Sequence, residues 1–111
     1  MKSDFPESPE GLGIDVGDDR GRTLYRLSGE LDALNAARLR TVLTEDADDD
    51  RDVVIDLSHL DFIDSSGIGV LVGALKRFEA SGRRLVLRSP TPALRRVFDM
   101  TGLASAFVIE H

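Results

Sequence analysis

The sequence predicts an α/β fold: one domain with a mixed, mostly parallel sheet and helices, in the order β-β-α-β-α-β-α-β. Three observations predict it. The apolar run Val53-Val54-Ile55-Asp56-Leu57 reads as a buried strand. It leads through small polar residues into a long amphipathic helix. Strand-like and helix-like segments then alternate to the C-terminus, which calls for right-handed crossovers and parallel pairing. The order of strands within the sheet stays open.

Taken in order, residues 1–10 are polar, contain Pro6 and Pro9, and read as a disordered arm, leaving 11–111 as the domain. Leu12, Ile14 and Val16 alternate as in a short strand. Gly17-Asp18-Asp19-Arg20-Gly21 is a turn, and Thr23–Leu27 a second strand, so the two form a hairpin. Gly29-Glu30-Leu31-Asp32 ends that strand. Asn35 is placed to cap a helix from Ala36 to about Glu45, with Leu39, Val42 and Leu43 inward. The acidic run Glu45–Asp52 lacks the glycine and terminal glutamate of a calcium loop and reads as a solvated connector.

The central stretch runs from Asp61 to Leu71. Asp64, Ser65 and Ser66 are each able to cap a helix, because a short side-chain oxygen can accept from the free N–H groups of the first turn. The following helix carries an apolar stripe of Ile68, Leu71, Val72, Leu75 and Phe78. The opposite side collects Ser66, Gly69, Val70, Gly73 and Arg77. Glycine inside a helix costs about 1 kcal/mol relative to alanine. A flat face with two of them suits close approach by another body, either a partner or a further element of the same domain.

Beyond that helix, Ser81-Gly82-Arg83 is a stop, and Arg84–Arg88 a strand. Thr91 caps a short helix with Pro92 in its first turn and Leu94, Val97 and Phe98 inward. Gly102 ends it, and Ala106–Ile109 is the last strand.

Composition closes several functional classes. There are 111 residues, no cysteine and a net charge of −6. Disulfides, thiol catalysis and cysteine-ligated zinc are excluded. An acidic chain lacks the footprint of nonspecific nucleic-acid binding, and Arg83, Arg84, Arg88, Arg95 and Arg96 read as solvated surface. No apolar run approaches the roughly 20 residues of a membrane span, and no signal peptide opens the chain. The expected location is cytoplasmic. No catalytic, metal or cofactor site is expected. Ser65 or Ser66 with His59 and Asp56 supplies the residue types of a hydrolytic triad, but no glycine stands two residues before either serine, as a nucleophile elbow requires. Asp56 as a receiver-type phosphoacceptor lacks its lysine, since Lys2 and Lys76 are misplaced. The spacing of Gly67 and Gly69 fits no phosphate loop.

The segment Asp64-Ser65-Ser66-Gly67-Ile68-Gly69-Val70-Leu71 resembles the phosphorylation segment of bacterial anti-sigma factor antagonists, single STAS domains. Gly29-Glu30-Leu31-Asp32 and the stretch from Ser89 to Leu103 extend the likeness, which covers Ile14 to Ile109. The resemblance implies a STAS fold and partner switching. The unphosphorylated domain binds an anti-sigma factor that is also an ATP-dependent serine kinase, and the sigma factor is released. Phosphorylation at Ser65, with Ser66 as the alternative acceptor, ends binding, and a serine phosphatase restores it. The implied docking surface comprises Glu30, Asp32, Asp64, Ser66, Gly67, Gly69, Val70, Gly73 and Arg77. Glu30 and Asp32 are either loop polarity or an acidic rim to the serine segment; the resemblance favours the rim. The other reading within this family is an unphosphorylated scaffold or small-ligand sensor. Some relatives carry a further C-terminal helix, so the final strand is expected to be less covered here.

Overall fold

The computed structural model describes residues 11–46 and 50–111; the expected N-terminal arm lies outside them. The elements are β1 (Leu12–Asp19), β2 (Arg22–Leu31), α1 (Ala36–Thr44), β3 (Val53–Ile63), α2 (Ser65–Ala80), β4 (Leu85–Arg88), α3 (Pro92–Met100) and β5 (Val108–Glu110), with a 3-10 turn at Leu103–Ser105 before β5. They form one five-stranded sheet in the order β1-β2-β3-β4-β5. β1 and β2 are antiparallel, and every later pairing is parallel.

This order has a direct consequence. From β2 onward each strand is laid beside the last in one direction, and each crossover holds a helix. Right-handed crossovers advancing in one direction place every helix on the same side. Accordingly Leu39 and Leu43 of α1, Leu71, Ala74 and Leu75 of α2, and Leu94 and Phe98 of α3 share a single core with Leu27, Ile55, Leu57, Leu85 and Leu87.

Among the described residues the other face of the sheet carries no helix. One row of pairings across it reads Asp15, Arg26, Asp56, Arg88, Glu110, alternating in charge over all five strands. The neighbouring row contains Leu24, Val54, Val86 and Val108. Val54 and Val86 are nonetheless buried. A network of ion pairs spans this face: Asp19 binds Arg22 at 2.5 Å and Arg88 at 2.7 Å, and Glu110 binds Arg88 at 2.8 Å and Arg22 at 3.2 Å. The stems of long arginines cover apolar surface while their heads remain wet. The Arg88 and then the Arg22 guanidinium hold the Asp19 carboxyl below its ordinary range. Arg22 and then Arg88 do the same to Glu110.

Several elements are longer or shorter than the sequence pattern indicates. β1 continues through Asp19, so the hairpin turn is confined to Arg20-Gly21. β2 runs on through Gly29 to Leu31, because a register shift beside Gly29 absorbs the kink. Gly29 has φ +86°, and a Cβ there would stand 2.0 Å from the Gly11 carbonyl oxygen. β3 extends to Ile63, so part of the expected serine loop is strand. The last strand begins at Val108 rather than Ala106.

The acidic connector requires a correction. Asp46 is not solvated: its side chain is 1% exposed and pairs with Arg83 at 3.1 Å. Its other oxygen accepts from the Tyr25 hydroxyl at 2.5 Å. Arg83 also stacks on the Phe78 ring, 4.6 Å from its centroid, and is itself buried, so it is not part of a basic surface. A buried charge is retained only when paired and hydrogen-bonded, and here both partners are. Residues 47–49 of the run lie outside the described residues.

Candidate docking and modification site

The site is built where β3 ends and α2 begins. Asp64 alone separates the two elements. Of the three capping candidates, Asp64 takes the role. Its Oδ1 accepts from Ser66 N at 2.9 Å and Gly67 N at 3.2 Å. Its Oδ2 accepts from Ala33 N, in the β2–α1 loop, at 3.2 Å. A carboxylate serves better than a hydroxyl because its two oxygens can satisfy both the helix and the loop. Asp64 N also donates to Leu31 O at 3.1 Å, closing the same junction through the backbone.

Ser65 therefore occupies the first position of α2 and is exposed, while Ser66 is partly covered. The β2–α1 loop beside them is stiffened by its own polar side chains. Asp32 accepts from Leu34 N at 3.0 Å. Asn35 accepts from Asp32 N at 2.9 Å and donates to Glu30 O at 2.9 Å. Asn35 thus organises the loop, and makes no side-chain cap to α1 as the sequence pattern indicated. The parallel register pairs Glu30 with Phe62 and Leu31 with Ile63. Glu30, Asp32 and Asp64 thereby lie at the same end of the sheet, with Asp64 tied to the loop that carries Asp32 through Ala33 N.

Two expected docking residues do not lie on the outer surface. Val70 is 4% exposed and belongs to the core. Gly67 is also buried, and a Cβ there would stand 2.6 Å from Leu31 Cγ and 2.8 Å from Ile63 Cγ1. The buried arc of α2 is Gly67, Val70, Leu71, Ala74, Leu75 and Phe78. It is rotated from the expected stripe, and Ile68 and Val72 are partly uncovered as a result. At 3.6 residues per turn both stripes are apolar. The close approach of Gly67 to Leu31 and Ile63 selects between them.

Gly69 and Gly73 behave in the opposite way. A Cβ built on either meets nothing within 4 Å. Arg77 is exposed further along the helix. Two apolar side chains that the sequence pattern did not single out also flank the site. Leu34 is 82% exposed in the loop and Phe62 is 47% exposed at the end of β3. Simple alternation does not find Phe62: beyond Leu57 the strand buries Leu60 and Ile63 with two exposed residues before each, a spacing that accompanies the register shifts against β2.

The triad constellation does not assemble. Asp56 lies in the charged row between Arg26 and Arg88 and accepts from Ser58 N, and His59 contacts the Ser58 hydroxyl. No group of three potential metal ligands occurs among the described residues, and no described helix is long and apolar enough to cross a membrane.

Comparison with known proteins places this architecture. The STAS domain model matches residues 14–111. The chain belongs to the STAS domain family. This STAS domain is 34% identical over 92 residues to the anti-sigma-B factor antagonist of Bacillus subtilis, covering 83% of this chain and 84% of that protein. Among solved structures it is similar to an anti-sigma factor antagonist from Mycobacterium paratuberculosis. There the TM-score is 0.81 at 26% identity, with 95% of this chain and 90% of that one covered. It is also similar to the Bacillus cell fate determinant SpoIIAA in the phosphorylated form, with a TM-score of 0.67 at 27% identity over 88% of this chain and 91% of that one.

Proposed function

We propose that this STAS domain is an anti-sigma factor antagonist that acts by partner switching. In its unphosphorylated form it binds an anti-sigma factor that is also an ATP-dependent serine kinase, and so frees the sigma factor. The kinase transfers phosphate to the Ser65 hydroxyl, binding is lost, and a serine phosphatase reverses the step. The chain is ligand and substrate in this scheme, with no catalytic residue, metal or cofactor of its own. The relatives' names support the antagonist reading, and the solved phosphorylated SpoIIAA supports the switch.

The observation that carries the proposal is the pairing of an exposed Ser65 with Gly69 and Gly73, two helical glycines for which the fold has no steric need. Their cost to the helix is recovered if a partner's atoms approach the backbone there. With Gly67 and Val70 withdrawn into the core, the docking surface reduces to Glu30, Asp32, Asp64, Ser66, Gly69, Gly73 and Arg77, with Leu34 and Phe62 at its margins.

The switch follows from charge. A phosphoserine adds about −1.5 to −2 charges. Those charges fall beside Asp64, at the junction to which the loop carrying Asp32 is tied. Asp64 already takes the N–H groups of Ser66 and Gly67, so the helix end offers the phosphate little beyond its residual dipole. Exposure to water keeps the phosphorylated fold intact. In the complex that water is gone, and a kinase site holding nucleotide phosphates opposes a second anion. A loss of about 3–4 kcal/mol weakens binding by two to three decades.

Capture of binding partners from the native cell, followed by ATP addition and peptide mapping, tests the reading. Recovery of an ATP-binding partner and a phosphate on Ser65 is the expected result. Phosphate on Ser66 alone overturns the assignment, and a partner set without any kinase overturns the mechanism. Ser65→Ala is expected to bind constitutively, and Ser65→Asp to bind weakly but measurably.

A further inference from the structure

The outer edge of β1 has properties that neither the docking site nor the core explains. Among the described residues β1 pairs only with β2, so within them one side of this strand is unpaired in the sheet. Glu30 N donates to Gly11 O at 3.0 Å, and Leu12 is the partner of Gly29. In an antiparallel ladder this makes Leu12–Gly29 a pair that does not exchange hydrogen bonds. The backbone groups of Leu12, Ile14, Val16 and Asp18 therefore face away from β2. The Arg38 side chain donates to the Leu12 carbonyl, which leaves the run from Ile14 to Asp18 as the competent edge.

Proteins ordinarily blunt such an edge with charge. Here Asp15, Asp18 and Asp19 would serve, yet each is paired within the fold. Asp15 binds Arg26 at 3.2 Å, Asp18 binds Arg51, and Asp19 binds Arg22 and Arg88. The acidic guard is neutralised by the protein's own arginines. At the middle of the edge Val16 is 57% exposed, with glycine at 13 and 17 on either side.

We propose that this edge is a self-association surface, on which a second copy of the chain adds its own β1 antiparallel about a two-fold axis. The outward groups select the register. Val16 stands opposite its counterpart, and Ile14 stands opposite Asp18 of the second copy, each pair exchanging two backbone hydrogen bonds. In this register Asp15 faces Gly17 and Asp19 faces Gly13, so no aspartates are directly opposed. The register centred on Asp15 would place two carboxylates face to face and is disfavoured. The product is a continuous sheet across two domains. The Ser65 site lies on other elements and remains free in both copies.

Sedimentation in about 0.15 M salt, where the net charge of −6 is largely screened, tests the proposal. A concentration-dependent dimer is expected between about 0.01 and 1 mM, the range of a small interface. Val16→Pro removes an N–H that β2 does not use, and is expected to weaken the dimer at least tenfold while circular dichroism is unchanged. Val16→Lys is expected to do the same without altering the backbone, and decides the matter if the proline variant does not fold. The chain has no cysteine, so Val16→Cys carries a single thiol. Opposed Cα atoms at about 5.5 Å allow a disulfide. Val16→Cys is expected to oxidise to a covalent dimer much faster than Val108→Cys on the opposite edge strand. A monomer throughout, a dimer insensitive to both Val16 variants, or equal oxidation of the two thiols overturns the proposal.

Discussion

The inner and outer sides of α2 use the same small residue for opposite ends. On the inner side Gly67 is required by the fold, because Leu31 and Ile63 already fill the space a Cβ would take. On the outer side Gly69 and Gly73 have empty space around them. The first is a packing residue; the fold places no steric demand for glycine on the second pair, which is what the proposed docking role accounts for. Helical glycines therefore carry no functional meaning until their surroundings are known.

The largest expected effect tests the inner side. Val70→Glu places a carboxylate without a partner in the core and is expected to cost about 3–5 kcal/mol, read as a fall in chemical-denaturation midpoint. A variant with near-wild-type stability would return Val70 to the outer surface. Gly67→Ala forces Leu31 and Ile63 to move and is expected to cost about 1–3 kcal/mol, despite alanine's better helix propensity. Asp64→Ala removes the cap and the tether to Ala33, with an expected loss of about 0.5–2 kcal/mol. Amide exchange at Ser66 and Gly67 should accelerate in that variant.

Gly69→Ala and Gly73→Ala sharpen the contrast because stability and binding should move in opposite directions. Each is expected to stabilise the domain by about 0.5–1 kcal/mol in thermal unfolding. Titration against the captured kinase should show weaker binding in the same variants. Equal binding would leave the two glycines without a purpose at the interface.

The smallest effect concerns the helix-free face, remote from the site. Asp19 and Glu110 have folded pKa values below their ordinary ones, held there by Arg88 and Arg22. A depressed carboxyl contributes stability above its unfolded pKa and loses it as pH falls through the folded value. Stability should accordingly be level near neutrality and decline through the acid range below the ordinary carboxylate values. Arg88→Gln should flatten part of that decline, while kinase binding at neutral pH stays unchanged. Altered binding would show that the two faces are coupled.

Most of the architecture was legible along the chain. The alternation of strand and helix patterns, the hairpin, and the segment from Asp64 to Leu71 rest on local periodicity and local chemistry, which sequence carries directly. Element ends were less legible, as at Gly29 and Ile63, because a register shift and continued pairing extended strands past residues that ordinarily stop them.

What the sequence by itself determined is the fold class, the family likeness and the position of Ser65 at the start of a helix, since each depends on residues adjacent in the chain. Tertiary structure alone decided which arc of α2 is buried, because both arcs are apolar and only the approach of Leu31 and Ile63 distinguishes them. It also decided that Asp46 is buried rather than solvated. That outcome depends on Tyr25 and Arg83, which lie far from it in sequence and reach it only when the sheet is assembled. The helix-free face has the same origin. It follows from strand order, and strand order is a property of the whole chain that no local stretch records.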